Sequence, residues 1–154
     1  MEIDEVIGKL IHIPRDFHAV RTKSYVDLLI ESGYLEAYLE VTALRLIESL
    51  EADPTSTDDW FQWSEDQRCH PAWTLVTQED GVKLAYDNLG SELSSQLFGC
   101  RYEACAEFIL KNAERTRLSL VPKPRNPKNA WSPRFRSAKT QKSASPGDSQ
   151  DSLP

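Results

Sequence analysis

Six of the nine prolines lie beyond Arg117, in a stretch where Pro, Ser, Lys and Arg alternate with only scattered apolar residues. Such a stretch buries too little apolar surface to order itself, so the fold must be built from about 117 residues, enough for one self-sufficient core. The charge divides at the same place. Residues 1–117 hold 22 acids and 11 bases, net −11, whereas 118–154 hold 2 acids and 7 bases, net +5. The expected organisation is an acidic globular domain over 1–117 followed by a basic, disordered tail over 118–154.

Ile3, Val6, Ile7, Leu10 and Ile11 recur at helical spacing behind Glu2, Asp4 and Glu5, which suit a helix N-terminus. Pro14 disfavours helical geometry at Ile13, which predicts a helix closed by about His12. A second helical stretch runs from the candidate cap Ser24 to about Leu50, with Leu28, Leu35, Leu39, Leu46 and Leu50 near one face and a break point at Ser32 and Gly33. Ala52 to Asp59 reads as a loop.

Three strands are expected. Trp60–Ser64 and Ala72–Gln78 are rich in aromatic and β-branched residues, and Val82–Asp87 alternates apolar with polar ones. Asp80 and Gly81 between the last two mark a tight hairpin. Tyr102, Cys105, Ala106, Ile109 and Ala113 then form a helical stripe that ends near Arg115 and Arg117. The expected class is α+β: N-terminal helices, a three-stranded antiparallel meander, and a closing C-terminal helix that packs on the sheet.

The chain has no run of about 18 apolar residues, and acids stand where a secretory signal carries bases. A cytoplasmic protein with no membrane partner is expected, and three cysteines suit a reducing compartment. No glycine-rich phosphate loop is present. An acidic body has the wrong sign for neutralising nucleic-acid phosphates and the right sign for attracting a basic protein.

Chemistry-bearing residues concentrate in WFQWSEDQRCHPAW, where Trp60, Trp63 and Trp73 surround Glu65, Asp66 and Arg68. Such rings either fill a core or anchor a protein interface inside a charged rim. Cys69 and His70, with Cys100 and Cys105, supply zinc-ligand types at spacings that argue against a shared site. Cys69, His70 and Asp66 supply hydrolase types, but sequential residues in an extended segment face opposite ways. His12 and His18 read as ordinary surface or partly buried histidines. In the tail, Lys123, Arg125, Lys128, Arg134, Arg136, Lys139 and Lys142 interleave with Trp131 and Phe135 in a manner suited to nucleic acid or to simple solvation.

From Trp60 to Arg117, the order of an aromatic segment, WSEDQR, PAWTL, a hairpin and YEACAEFIL resembles small bacterial immunity proteins encoded beside polymorphic or contact-dependent toxins. Gln67 stands where that pattern has lysine, Ala72 where it has glycine, and Cys69 and His70 where it has small hydroxyl residues. The resemblance implies a stoichiometric inhibitor rather than an enzyme, needing no cofactor and binding a cognate toxin that is often a nuclease with a basic cleft. It implies Asp58, Asp59, Glu65 and Asp66 as steering acids and Trp60 as the apolar anchor, with Trp63, Trp73 and Tyr86 in the core. Two rival expectations stand beside it: an adaptor meeting nucleic acid through the basic tail, and a small hydrolase or zinc protein built on Cys69 and His70.

Overall fold

The computed structural model describes residues 1–123. Its order is α1 (Ile3–Ala19), α2 (Tyr25–Glu31), α3 (Tyr34–Ala37), α4 (Ala43–Ala52), α5 (Pro54–Glu65), β1 (Ala72–Gln78), β2 (Gly81–Asn88), β3 (Ser91–Phe98) and α6 (Arg101–Leu120). The α+β class is as expected, with a three-stranded antiparallel sheet in the order β1-β2-β3 and a C-terminal helix. α6 contacts α4 and α5 as well as all three strands, so it joins the helices to the sheet. It runs past Arg117 to Leu120. Most of the expected basic tail, from residue 124 onward, lies outside the described residues. Among those described, no helix is long and apolar enough to cross a membrane.

α1 does not close at His12. Pro14 sits inside it, and the helix continues to Ala19 with Ile11, Ile13 and Pro14 all buried. Proline there removes the N–H that would meet the Leu10 carbonyl, and packing offsets the loss. The stretch from Ser24 to Leu50 divides into three helices. Ser24 and Asp27 cap α2 reciprocally, each side chain accepting a hydrogen bond from the other residue's backbone N–H, and Gly33 adopts φ +81° before α3.

The largest departure from expectation is Trp60–Ser64, which is helical rather than extended. α5 also absorbs most of the expected loop, beginning at Pro54, a residue pre-shaped for the first helical turn. Thr57, Trp60 and Ser64 are its buried face, a helical spacing masked in sequence by aromatic residues that alternate over a few positions. The Trp60 ring is fully buried 6.0 Å from each of Trp63 and Phe108, and its indole N–H donates to the Ile11 carbonyl at 3.1 Å. Small Ser64 lets the helix approach β1, where its hydroxyl accepts the Leu75 N–H at 2.7 Å.

The third strand of the sheet is therefore β3. It follows β2 through a two-residue turn, Leu89 and Gly90, with φ +52° and +88°. The hairpin between β1 and β2 forms where Asp80 and Gly81 predict it, with Glu79 and Asp80 as the loop and Gln78 paired with Gly81. Gly81 is needed for a second reason as well. A Cβ there would stand 2.1 Å from the Phe98 carbonyl oxygen at the end of β3. Leu75, Val82 and Leu84 form the buried inner face, continued by Trp73 against Tyr86 with centroids 4.9 Å apart.

Three substitutions test this arrangement in chemical denaturation. Trp60→Ala is expected to cost about 3–5 kcal/mol. Gly81→Ala is expected to destabilise through its clash with the Phe98 carbonyl. Leu89→Asn should instead stabilise by about 0.5–1 kcal/mol, because Leu89 is exposed and a branched residue pays for its left-handed backbone.

Candidate functional site

With Thr57, Trp60 and Ser64 turned inward, helical geometry sets Asp58, Phe61, Gln62 and Glu65, at spacings of three, four and seven, along the flank of α5 beside that buried face. These four residues form one wall of a cleft of about 560 Å3. Thr77 of β1 and Val82 of β2 form another, and Arg101 at the start of α6 closes it. Thr77 and Val82 flank the turn that carries the exposed acids Glu79 and Asp80. The cleft thus has an aromatic and aliphatic floor, Phe61 and Val82, within a rim rich in carboxylates. Its size falls within the roughly 300–1,000 Å3 of ligand-binding clefts.

Arg101 organises one end. Its guanidinium pairs with the Asp58 carboxylate and lies 5.2 Å from the centre of the Phe61 ring. A cation over an aromatic face and a planar pair with a carboxylate are the two interactions that guanidinium groups favour. Glu65, at the other end, is exposed and has no ion-pair partner among the described residues.

The five residues singled out by the resemblance occupy different environments. Asp58 and Glu65 line the cleft. Asp59 points to α1, where its carboxylate accepts from Arg15 Nη2 at 3.1 Å and Nε at 3.3 Å. Asp66 is exposed at the C-terminal cap of α5. Trp60 cannot be a surface anchor, because it is the fully buried ring of the core. Its place is taken by the adjacent ring, Phe61, half-buried in the cleft floor. Phe61, Gln62, Thr77, Val82 and Arg101 were not anticipated. The helical spacing from Asp58 to Glu65 was the available signal for the first two, and only tertiary contact brings in the others.

A polar latch fixes the start of α5. The Asp53 carboxylate accepts from the Ser56 hydroxyl at 2.7 Å and lies 3.0 Å from His12 Nε2, while Arg15 Nη2 reaches both Ser56 and Asp59. Hydrogen bonds from Ser56 and then His12 hold the Asp53 carboxyl below its ordinary value of 3.8. The serine and histidine both meet the carboxylate, so this group serves as a brace between α1 and α5.

The alternative chemistry does not assemble. Cys69 and His70 are exposed, Cys100 precedes α6, and Cys105 is buried in the core, where desolvation pushes its thiol well up. Among the described residues, no group of three or more His, Cys, Asp or Glu is arranged to hold a metal ion.

Much of the basic complement of this body is already engaged. Arg15, Arg101 and Arg117 pair with Asp59, Asp58 and Glu114, while Lys111 and Arg115 lie over Trp73 and Tyr86. Acids outnumber bases two to one over residues 1–117, and exposed acids such as Glu65, Asp66, Glu79 and Asp80 contribute to the resulting negative field. Compared with protein-family models, with curated proteins and with solved structures, the chain matches none.

The latch yields a pH prediction. A carboxyl held below its ordinary value stabilises the fold above that value, and its contribution is lost as pH falls below 3.8 through the depressed pKa. Asp53→Asn should lower stability at neutral pH and flatten its decline over that acid window, as read by denaturation midpoints at a series of pH values.

Proposed function

We propose that the protein is a binding protein, not an enzyme, and that it neutralises a basic partner through the cleft between α5 and the β1–β2 turn. The observation that carries this reading is an aromatic floor set inside a carboxylate rim, on a body of net charge −11 over residues 1–117. An apolar centre supplies the desolvated contact and the surrounding charge supplies steering, the division of labour of protein-binding hot spots. The resemblance to immunity proteins agrees with it. On that reading the partner is a cognate bacterial toxin met in the cytoplasm, and a nuclease is the toxin class whose substrate an acidic surface imitates.

The roles divide within the cleft. Phe61 and Val82 provide the apolar contact. Glu65, with Asp66 and the Glu79–Asp80 turn beside it, attracts cations. Asp58 acts through Arg101, which it holds over Phe61, and Asp59 acts indirectly by bracing α5 against α1. No cofactor enters this function.

The test is co-expression with the product of the adjacent reading frame, which this reading expects to be a toxin, combined with binding kinetics. Cells are expected to survive, and Glu65→Lys with Asp66→Lys should slow association by about tenfold at low salt, an effect that shrinks as salt is raised. Phe61→Ala should chiefly speed dissociation, with a loss of about 2 kcal/mol or more if the ring is a hot spot. Protection and affinity left intact by all three changes would remove the cleft from the function.

A further inference from the structure

Among the residues that line the cleft, Arg101 is the single base, and it is held from two sides. Its Nη2 donates to the Asp58 carboxylate, and the guanidinium lies 5.2 Å from the centre of the Phe61 ring. A guanidinium carries five N–H donors and no acceptor. Among the described residues this one makes a single hydrogen bond, and its side chain is 44% exposed, so the other donors depend on solvent while the cleft is open. Closure changes that. Because the guanidinium rests over Phe61, a partner that covers the apolar floor also takes Arg101 out of water. A cation buried with unmet donors is strongly unfavourable, and a purely basic surface pressed against it adds repulsion. Glu65 sets the reverse requirement at the other end of the cleft, since it is exposed and has no ion-pair partner among the described residues.

We propose that the cleft reads a two-signed surface on its protein partner: an Asp or Glu carboxylate that pairs with Arg101, and a basic side chain that pairs with Glu65. Asp58, which holds Arg101, and Glu65 stand seven residues apart on α5, so the two partner charges lie about 10 Å from each other. This inference rests on the cleft being the binding surface, and it makes Arg101 the residue that sets specificity. A carboxylate is the acceptor that fits, because it takes two parallel hydrogen bonds from the guanidinium fork. Asp58 and Phe61 already fix the Arg101 side chain, so little further ordering is needed when the carboxylate arrives. The two kinds of charge act at different ranges. The net acidity of the body works across solvent and governs encounter with a basic partner, whereas the Arg101 pairing forms on contact and governs how long the complex lasts.

The experiment is binding kinetics of the full chain with the product of the adjacent reading frame. Arg101→Gln should speed dissociation by about tenfold or more, with association unchanged or faster because the body becomes more acidic. A merely cationic partner requires the opposite sign, tighter binding once the positive charge is gone. Charge exchange separates recognition from a structural effect on Phe61. Arg101→Glu should abolish tight binding, and among partner variants with single Asp or Glu residues changed to Arg, one should restore it. Binding that Arg101→Gln leaves unchanged or tightens, or an Arg101→Glu defect that no partner reversal rescues, would overturn the inference while Phe61→Ala and the Glu65 and Asp66 reversals still weaken the complex and uphold the cleft. No binding at all, or binding indifferent to every one of these changes, would overturn the cleft and the inference together.

Discussion

The burial of one indole decides which way α5 faces. Trp60 is held by shape, between the rings of Trp63 and Phe108, and by direction, through its N–H on the Ile11 carbonyl. A ring of this size buries on the order of 200 Å2, and of the two tryptophans of α5 Trp60 is the one that is fully buried. Once Trp60 is inward, the helical repeat places Asp58, Phe61, Gln62 and Glu65 along the adjoining flank, with Phe61 half-buried, and brings Ser64 to the edge of β1. The candidate site is thus a geometric consequence of the core. The same contact ties together the N-terminal helix, the aromatic helix and α6, elements far apart in the chain.

Electrostatics adds orientation more than stability. Exposed pairs such as Arg15 with Asp59 contribute little net free energy. They do fix the rotamers of long side chains, and they leave the remaining carboxylates to shape the potential outside the molecule. Arg101 is the instructive case. It is a base placed in an acidic cleft, anchored by Asp58 and resting on Phe61, so that the apolar floor is bordered by charges of both signs. Such a border favours a partner with matched charge positions over one that is merely cationic.

Much of the fold was legible in the residues. The start of α1, the apolar stripe of α6 and the β1–β2 hairpin follow from spacing and from Asp80–Gly81. The failures have specific causes. Residues 60–64 carry strand-like local propensity, and tertiary burial of Trp60 overrode it. β3 escaped notice because Ser91, Ser94, Ser95 and Gln96 give neither face an apolar pattern, and because Leu89 occupies a turn position where asparagine or glycine is the usual signal. Pro14 suggested a helix end, but a proline can be absorbed where the surrounding core is well packed. For the site, the acidity and the helical positions of Asp58 and Glu65 were readable, while Arg101, Thr77 and Val82 join them only through the fold. The exposed Trp60 anchor was a misreading of the same kind as the strand: it assigned to the surface a ring that the helical repeat sends inside.

Hydrogen exchange at the four indole N–H groups, followed by NMR under native conditions, addresses the orientation of α5 directly. The Trp60 indole should exchange only on global unfolding, with protection equal to that of the slowest core amides. Rapid exchange at Trp60 through local fluctuation would contradict the account, since α5 would then not be locked by its buried ring and the cleft built along its flank would lose its foundation.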